Sequence, residues 1–409
     1  YLIMISYGKQ SIDQSDIDKV VKILKGDWLT QGSTVEIFEN NLMNYFGSNH
    51  ACAVANGTAA LHLTGLALGW QAEDIVITSP ITFLATANCI VYAGATPDFV
   101  DIDPATYTID PNLVEEKVKF YQSKGKKVKA IIGVDFAGHP CDWKALREIA
   151  DKYGLIVIED SADTLGGKYM GKSSGFYSDM SITSFYGSHI INCAGNGGAL
   201  AINDDKVMEK AKLLRSWGRS SSLFDEKSEA IENRFNVKLD HIEYDAKFVF
   251  ETVGYNLEGS ELGASFGLAQ LEKLGDNITT RQENFAKQCT FFERHSKYFS
   301  NPVEMFESNT AWLAFPILIK SDAPFTRKEF QIFLEKRNIQ TRVVFTGNIV
   351  RQPMCKEIPI RVLDNGYPNS DAVMERGVLL PVHHGMTEEM FARFQATIDE
   401  FVEFYCRHN

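Results

Sequence analysis

The sequence predicts an α/β fold: a mostly parallel central sheet followed by a smaller C-terminal α+β unit. Three observations predict it. Short buried-strand patterns recur at residues 74–78, 96–100, 128–134 and 155–159. Helical patterns separate several of them, and strands alternating with helices build parallel sheets covered on both faces. Such strands read as continuous apolar runs because both faces are buried. Past Asn301 the alternation gives way to strand, helix, strand over 310–319, 327–337 and 341–345.

The elements follow in order. Tyr1 to Ile5 reads as a first strand or ordered arm. Residues 13–24 carry apolar side chains at helical spacing, a turn follows at 26–32, and 35–46 is again helical, stopping near Gly47. Residues 51–59 read as strand, turn and helix start, with the helix running over 58–68 to Gly69. Helices are expected at 85–91 and 143–153, and a long one from 263 to about Tyr298. Residues 387–406 suit a terminal helix. The division expected is an arm and helix at 1–35, a large α/β domain at 36–275, and a linking helix with a small domain at 276–409.

Composition bounds the function. The chain has 409 residues and a formal charge of −12, with no basic tract to track phosphates, which argues against nucleic acid as a partner. No apolar run of 18 residues is present, so no membrane span is expected. The seven cysteines, Cys52, Cys89, Cys141, Cys193, Cys289, Cys355 and Cys406, form no CxxC or close cluster. They read as reduced thiols of a cytoplasmic protein. His383-His384 lacks a third ligand by spacing, so no metal is expected.

A few residues carry candidate chemistry. Asp160 closes the strand Leu-Ile-Val-Ile-Glu-Asp, and the carboxyl ends of strands are where α/β folds bind ligands. Asn56-Gly57-Thr58 lies between strand and helix, where free N–H groups and the Thr58 hydroxyl suit a phosphate. Ser184 could add a hydroxyl, and Phe83 could stack on a ring. Taken singly, each of these is more often a cap, a turn or a core residue. Arg342 and Arg351 flank Phe345-Thr346-Gly347-Asn348, and a guanidinium suits a carboxylate or diphosphate as readily as a surface ion pair.

Order changes their weight. Asn-Gly-Thr-Ala at 56–59, Thr-Phe-Leu-Ala-Thr-Ala-Asn at 82–88, and Glu-Asp-Ser-Ala-Asp-Thr-Leu-Gly-Gly at 159–167 are followed by Ser-Phe-Tyr-Gly-Ser-His at 184–189 and Val-Gly-Tyr-Asn at 253–256. Over about residues 5–405 this series resembles the DegT/DnrJ/StrS-type sugar aminotransferases and dehydratases, which are fold-type-I pyridoxal-phosphate (PLP) enzymes with an aspartate aminotransferase-like fold. The resemblance makes 36–275 the PLP-binding domain. It implies that Gly57, Thr58 and Ser184 hold the cofactor phosphate, Phe83 stacks, Asp160 pairs with the ring nitrogen and Asp163 lies near the cofactor. It implies a homodimer, in which Asn256 reaches the neighbouring subunit's cofactor. Trp28, Tyr186, Arg219, His241, Arg342 and Arg351 become substrate-site candidates.

His189 stands where such enzymes carry the Schiff-base lysine, and no lysine occurs between Lys172 and Lys206. Imidazole moves protons near neutral pH but cannot tether an aldehyde. The chain therefore looks like the branch that removes the C3 hydroxyl of nucleotide-linked 4-keto-6-deoxyhexoses, using PLP and its pyridoxamine form (PMP) bound non-covalently. Arg215-Ser-Trp-Gly-Arg219 and the 341–353 segment are similar to the CDP-sugar dehydratase that works with an iron–sulfur reductase. Those relatives carry cluster cysteines after Trp-Gly-Arg, whereas this chain has Ser220-Ser221-Ser222. No iron–sulfur cluster is therefore expected, and an amino donor such as glutamate is expected to regenerate PMP. Glu258 stands where relatives commonly carry arginine or lysine. Aminotransfer, with Lys247 as a candidate amine, is the alternative activity; a non-catalytic scaffold or regulator is the third reading.

Overall fold

The computed structural model describes residues 3–223, 231–358 and 366–408. The arm expected at the start is present from Ile3, with Ile5 bridged to Ile339; Tyr1 and Leu2 lie outside the described residues. Helix α1 (Gln14–Leu24) starts at Asp13, which forms a capping box with Asp16. Helix α2 (Ser33–Phe46) follows Gly32, which offers no side chain to cap it. Glu261 does so from across the chain, accepting the Val35 N–H at 2.8 Å and the Thr34 N–H at 3.2 Å. Glu261 opens the long helix Glu261–Glu293, against which both α1 and α2 lie.

The central sheet contains β1 (His50–Val54), β2 (Ile75–Thr78), β3 (Thr96–Phe99), β4 (Val128–Val134) and β5 (Ile156–Asp160), joined by Met180–Ser184 and Gly198–Ile202. Its order is β1, Gly198–Ile202, Met180–Ser184, β5, β4, β2, β3. Gly198–Ile202 runs antiparallel to both its neighbours, and the other pairings are parallel. Helices α3 (Gly57–Ala67), α4 (Leu84–Tyr92), α5 (Pro111–Ser123), α6 (Trp143–Tyr153) and α7 (Asp205–Arg215) supply the crossovers and flanks.

The strands' period of two sorts side chains between two cores. Val76, Ala130, Ile132, Ile158 and Leu200 join α3, α4 and α7 on one face. Ile75, Ile77, Ile131 and Val157 meet α5 and α6 on the other. Farther along that second face, Ala199 and Ala201 pack under α2 and the long helix, against Phe38, Leu42, Leu271 and Leu274. Small residues in this strand let the helices approach closely.

The end of the chain forms a three-stranded antiparallel sheet, Phe299–Ser300, Phe315–Ile319 and Gly377–Leu380. Phe292, Phe315, Phe330, Phe394 and Phe401 centre its core, and Ile5 of the arm and Phe285 of the long helix share it.

Two expectations change. The long helix stops at Glu293, short of Tyr298, and turns through His295, whose imidazole meets Asp399 at 2.7 Å. The strand expected over 341–345 does not form. Only Arg342 bridges the sheet, at Leu379, and Phe345 takes a left-handed φ of 45°. The Glu335 carboxylate takes the Thr341 N–H and hydroxyl instead.

Arg215, read above as part of a motif, is a tie between layers. It is 5% exposed, pairs with Glu39 of α2 at 2.7 Å and donates to the Ala53 carbonyl of β1 at 2.9 Å. Glu39 also accepts the Ala53 N–H. Removing one partner strands a buried charge. Arg215→Ala is expected to lower unfolding free energy by about 3–5 kcal/mol, read as an earlier urea midpoint at unchanged slope.

Candidate active site

The site gathers at the carboxyl ends of β4, β5 and Met180–Ser184, as parallel topology dictates. Asp160, 5% exposed, is the last residue of β5. Its Oδ2 accepts the Thr86 hydroxyl at 2.6 Å and Oδ1 the Ala162 N–H at 3.3 Å. Thr86 in turn accepts the Thr82 hydroxyl at 2.7 Å. Burial raises the Asp160 pKa, and these two donors oppose the rise. Thr86 lies within the 82–88 motif, but a lone hydroxyl in an apolar helix carries no local signal of this role.

Asp163 lies in the turn after β5, 6% exposed, and its Oδ2 has no hydrogen-bond partner. Burial, with the nearby Asp160 charge, raises its pKa to about 8. It is therefore a neutral acid at pH 7, able to donate.

The segment 184–189 brings His189 to this turn. The Phe185 N–H donates to the Gly197 carbonyl and the Gly187 N–H to that of Gly195, closing the glycine-rich run into a loop. His189 Nδ1 lies 2.7 Å from the Ala162 carbonyl. A carbonyl only accepts, so Nδ1 carries the proton and Nε2 keeps the lone pair. Nε2 has no partner among the described residues. Asp163 Oδ1 stands 3.7 Å from Nδ1, beyond hydrogen-bond length, so the backbone rather than the acid orients the ring. The His189 side chain is 16% exposed; burial lowers its pKa, the Ala162 bond opposes the fall, and the Arg281 charge adds to it. The tautomer and the shift agree: His189 is a neutral base.

A cradle lies beside it. Asn56 caps α3 by accepting the Ala59 N–H at 2.8 Å, leaving the other first-turn N–H groups for a ligand. A Cβ on Gly57 would come 2.8 Å from Ser184 Cβ, and one on Gly198 would come 2.4 Å from the Asn56 carbonyl carbon. Glycine is thus required for the Ser184 hydroxyl to meet the start of α3, where Thr58 is exposed. Phe83, at the start of α4, leaves 54% of its surface open. Phosphate donors at a helix start, an open aromatic face and a buried carboxylate at a strand end fit a phosphorylated pyridine.

The other candidates fall differently. Tyr186 is exposed, its ring edge-on to His189 at 6.4 Å between centroids. The Arg342 guanidinium lies 5.3 Å over the Tyr7 ring. Arg351 is turned to Asp371, with Nη2 2.6 Å from Oδ2. The Arg219 guanidinium sits 5.2 Å over Trp217 and 5.9 Å over Phe250, with its buried Nε unpartnered. His241 stands exposed at the turn joining Val237–Leu239 to Ile242–Tyr244. Trp28 is exposed before α2. Asn256 is exposed and bridged to Ser216, and Glu258 is bridged to Val54 beside the cradle. Lys247 lies in the turn Ala246–Phe248, and the Ser220 hydroxyl faces the carbonyls of Ala246 and of Val249 just after it. His384 Nδ1 accepts the Arg281 Nε–H at 3.2 Å, and His383 Nε2 donates to the Ser6 carbonyl. No group of three metal-ligating side chains occurs among the described residues. No described helix is long and apolar enough to cross a membrane.

Comparison with known proteins agrees with this geometry. The model of the DegT/DnrJ/EryC1/StrS aminotransferase family matches residues 10–399. The chain is 31% identical to the lipopolysaccharide biosynthesis protein RfbH of Salmonella typhimurium, covering 96% of this chain and 90% of that protein. It is likewise 31% identical to the dTDP-4-dehydro-2,6-dideoxy-D-glucose 3-dehydratase of Saccharopolyspora spinosa, covering 96% and 85%. A UDP-4-amino-4,6-dideoxy-N-acetyl-beta-L-altrosamine transaminase of Campylobacter jejuni is 36% identical over 77% of both chains. Among solved structures, the E. coli GDP-4-keto-6-deoxy-D-mannose-3-dehydratase with bound hydrated PLP superposes with a TM-score of 0.84 at 24% identity, covering 97% of this chain and all of that one.

The raised Asp163 pKa has a stability consequence. Between pH 4 and about 8 the unfolded chain has lost this proton and the native chain retains it. Asp163 therefore makes stability fall with rising pH, by up to about 1.4 kcal/mol per unit. Asp163→Asn is expected to remove that slope, so that the variant gains on the parent from pH 4 to 8 in urea titrations.

Proposed function

The chain belongs to the DegT/DnrJ/EryC1/StrS family of fold-type-I sugar aminotransferases and dehydratases, and from that premise we propose that it is a PLP/PMP-dependent 3-dehydratase of a nucleotide-linked 4-keto-6-deoxyhexose, acting in deoxysugar biosynthesis. The single observation that carries the reading is His189. It occupies the loop position where covalent attachment would need an amine, and its neutral imidazole offers Nε2 as a base.

The residues that would hold the cofactor are those of the cradle: Gly57, Thr58 and Ser184 for phosphate, Asp160 for the ring nitrogen, Phe83 for the ring face, and Asp163 as a donor. Bound PLP or PMP supplies an electron sink for carbanion chemistry. The protein's part is proton management. His189 Nε2 takes a carbon-bound proton, and the resulting imidazolium donates it to the C3 oxygen that departs as water. The Nδ1 bond to the Ala162 carbonyl persists in both forms, so the ring need not turn over. The Thr86 hydroxyl and the Ala162 N–H both donate to the Asp160 carboxyl and oppose the rise that burial gives its pKa.

Ser220 to Ser222 occupy the place of cluster cysteines, which supports glutamate rather than an iron–sulfur reductase as the source of the reduced cofactor. A homodimer is part of the reading, with Asn256 from the second copy reaching the cofactor phosphate. Phe235, Ile242, Phe248, Phe250 and Val253 are large apolar residues each more than half exposed within one short stretch, and such a face suits burial against another subunit. Arg219 and Arg342 suit the diphosphate.

Nucleotide-sugar aminotransfer is the second reading, supported by the names of relatives such as the C. jejuni transaminase. It needs an amine or imidazole to shuttle the proton, and Lys247 is the lysine named for it.

Incubation of the loaded enzyme with a 4-keto-6-deoxy nucleotide sugar and glutamate is expected to release ammonia and give a 3-deoxy sugar. A 4-amino sugar as the sole product would reject the proposal. Turnover should be lost on the acid side through a group titrating below the ordinary histidine value, because burial favours neutral His189. His189→Asn should abolish dehydration while leaving cofactor binding intact.

A further inference from the structure

The N-terminal arm carries a side chain to the wall of this site that nothing in its local sequence marks. The Ile5 N–H donates to the Asn338 carbonyl and the Gln340 N–H to that of Ile5, both at 2.9 Å. The Tyr7 N–H donates to Gln340 Oε1 at 3.0 Å. On the other side, Gly8 backs onto Ser188, whose carbonyl a Cβ would approach to 3.2 Å, and Gln10 Nε2 donates to the Gly187 carbonyl. The arm is thus fastened to the C-terminal unit at one end and to the His189 loop at the other. Tyr7 lies between the two anchors.

Its ring packs against the cluster that includes Phe136, Ala137 and Val344, and the segment 136–137 leaves the carboxyl end of β4. The Arg342 guanidinium covers the ring at 5.3 Å. The titratable groups that face the phenol are Asp163, Arg342 and Arg281, all close enough to act on it electrostatically when charged. Arg281 is 1% exposed and has no carboxylate partner among the described residues; it donates to the Trp312 and Leu313 carbonyls and to His384. Asp163 and Arg281 also border His189, so Tyr7 and His189 share a neighbourhood although 182 positions separate them in sequence (189 − 7). The Tyr7 hydroxyl donates to no described residue, and it is not among the sealed polar atoms. Burial raises its pKa, so it stays a phenol throughout the working pH range.

We propose that Tyr7 contacts the substrate, its Oη–H donating to an oxygen of the bound sugar. An open neutral donor beside a guanidinium matches a polyhydroxylated sugar joined to a diphosphate. The proposal rests on the function above only in taking the ligand to be a nucleotide-linked hexose.

The test is calorimetric binding of GDP-, CDP-, dTDP- and UDP-linked 4-keto-6-deoxyhexoses to the cofactor-loaded enzyme, in a His189→Asn background that blocks turnover. Adding Tyr7→Phe should weaken the best of them about tenfold, the scale of one hydrogen bond, at unchanged Tm and unchanged affinity for the free nucleoside diphosphate. Equal sugar affinity in both proteins, or an equal loss for the free diphosphate, would overturn the proposal, as would failure to bind all four. A parent enzyme that binds the sugar but aminates it would reject the dehydratase reading and leave the Tyr7 comparison standing.

Discussion

The proposed chemistry depends on a single hydrogen bond: His189 Nδ1 to the Ala162 carbonyl, 2.7 Å. It joins the loop after Met180–Ser184 to the turn after β5, two strands held in parallel register. It also decides the tautomer, because the acceptor has no proton to give. A neutral imidazole so fixed presents its lone pair at Nε2. Burial disfavours a second proton and, with the Arg281 charge, outweighs the Ala162 bond, which favours one. Were the Asp163 carboxylate to take over as the partner of Nδ1, imidazolium would be favoured and the base lost. At 3.7 Å and largely protonated at neutral pH, Asp163 does not do this.

The surroundings maintain that bond. Gly57 and Gly198 allow the first turn of α3, Ser184 and the strand Gly198–Ile202 to meet without room for a side chain. Arg215 and Glu39 tie β1 and α2 to the end of α7. The arm braces the His189 loop from outside through Gly8 and Gln10, and ties it to the C-terminal sheet through Ile5 and Tyr7.

Much of the frame was legible in the sequence because local periodicity encodes it. β4 and α6 lie where the apolar pattern puts them, and Asp160 ends its strand as its position after Ile158 and Glu159 implies. Met180–Ser184 and Gly198–Ile202 were missed: serine, threonine, glycine and alanine give no buried-strand signal, though both strands lie mid-sheet between paired neighbours. The 341–345 segment misled, because its β-branched residues face loops and a competing carboxylate instead of a ladder. Within the candidate site, the sequence singled out residues through recognisable motifs and gave no role to side chains whose partners are distant along the chain. Thr86, Tyr7 and Arg281 matter through residues far along the chain: Asp160 lies 74 positions from Thr86, Gln340 333 from Tyr7 and His384 103 from Arg281. Arg281 in particular has the sequence signature of a solvated helix face, yet it is buried against two backbone carbonyls. Likewise, the protonation of Asp163 follows from burial, which a motif does not record.

The central claim is that His189 rests as a neutral imidazole protonated at Nδ1. Nitrogen-15 NMR of the histidine-labelled protein at pH 7, assigned by comparison with His189→Asn, tests it directly. The account predicts a protonated-type signal at Nδ1 and an unprotonated one at Nε2. A signal showing the proton at Nε2, or protons on both nitrogens, would contradict it.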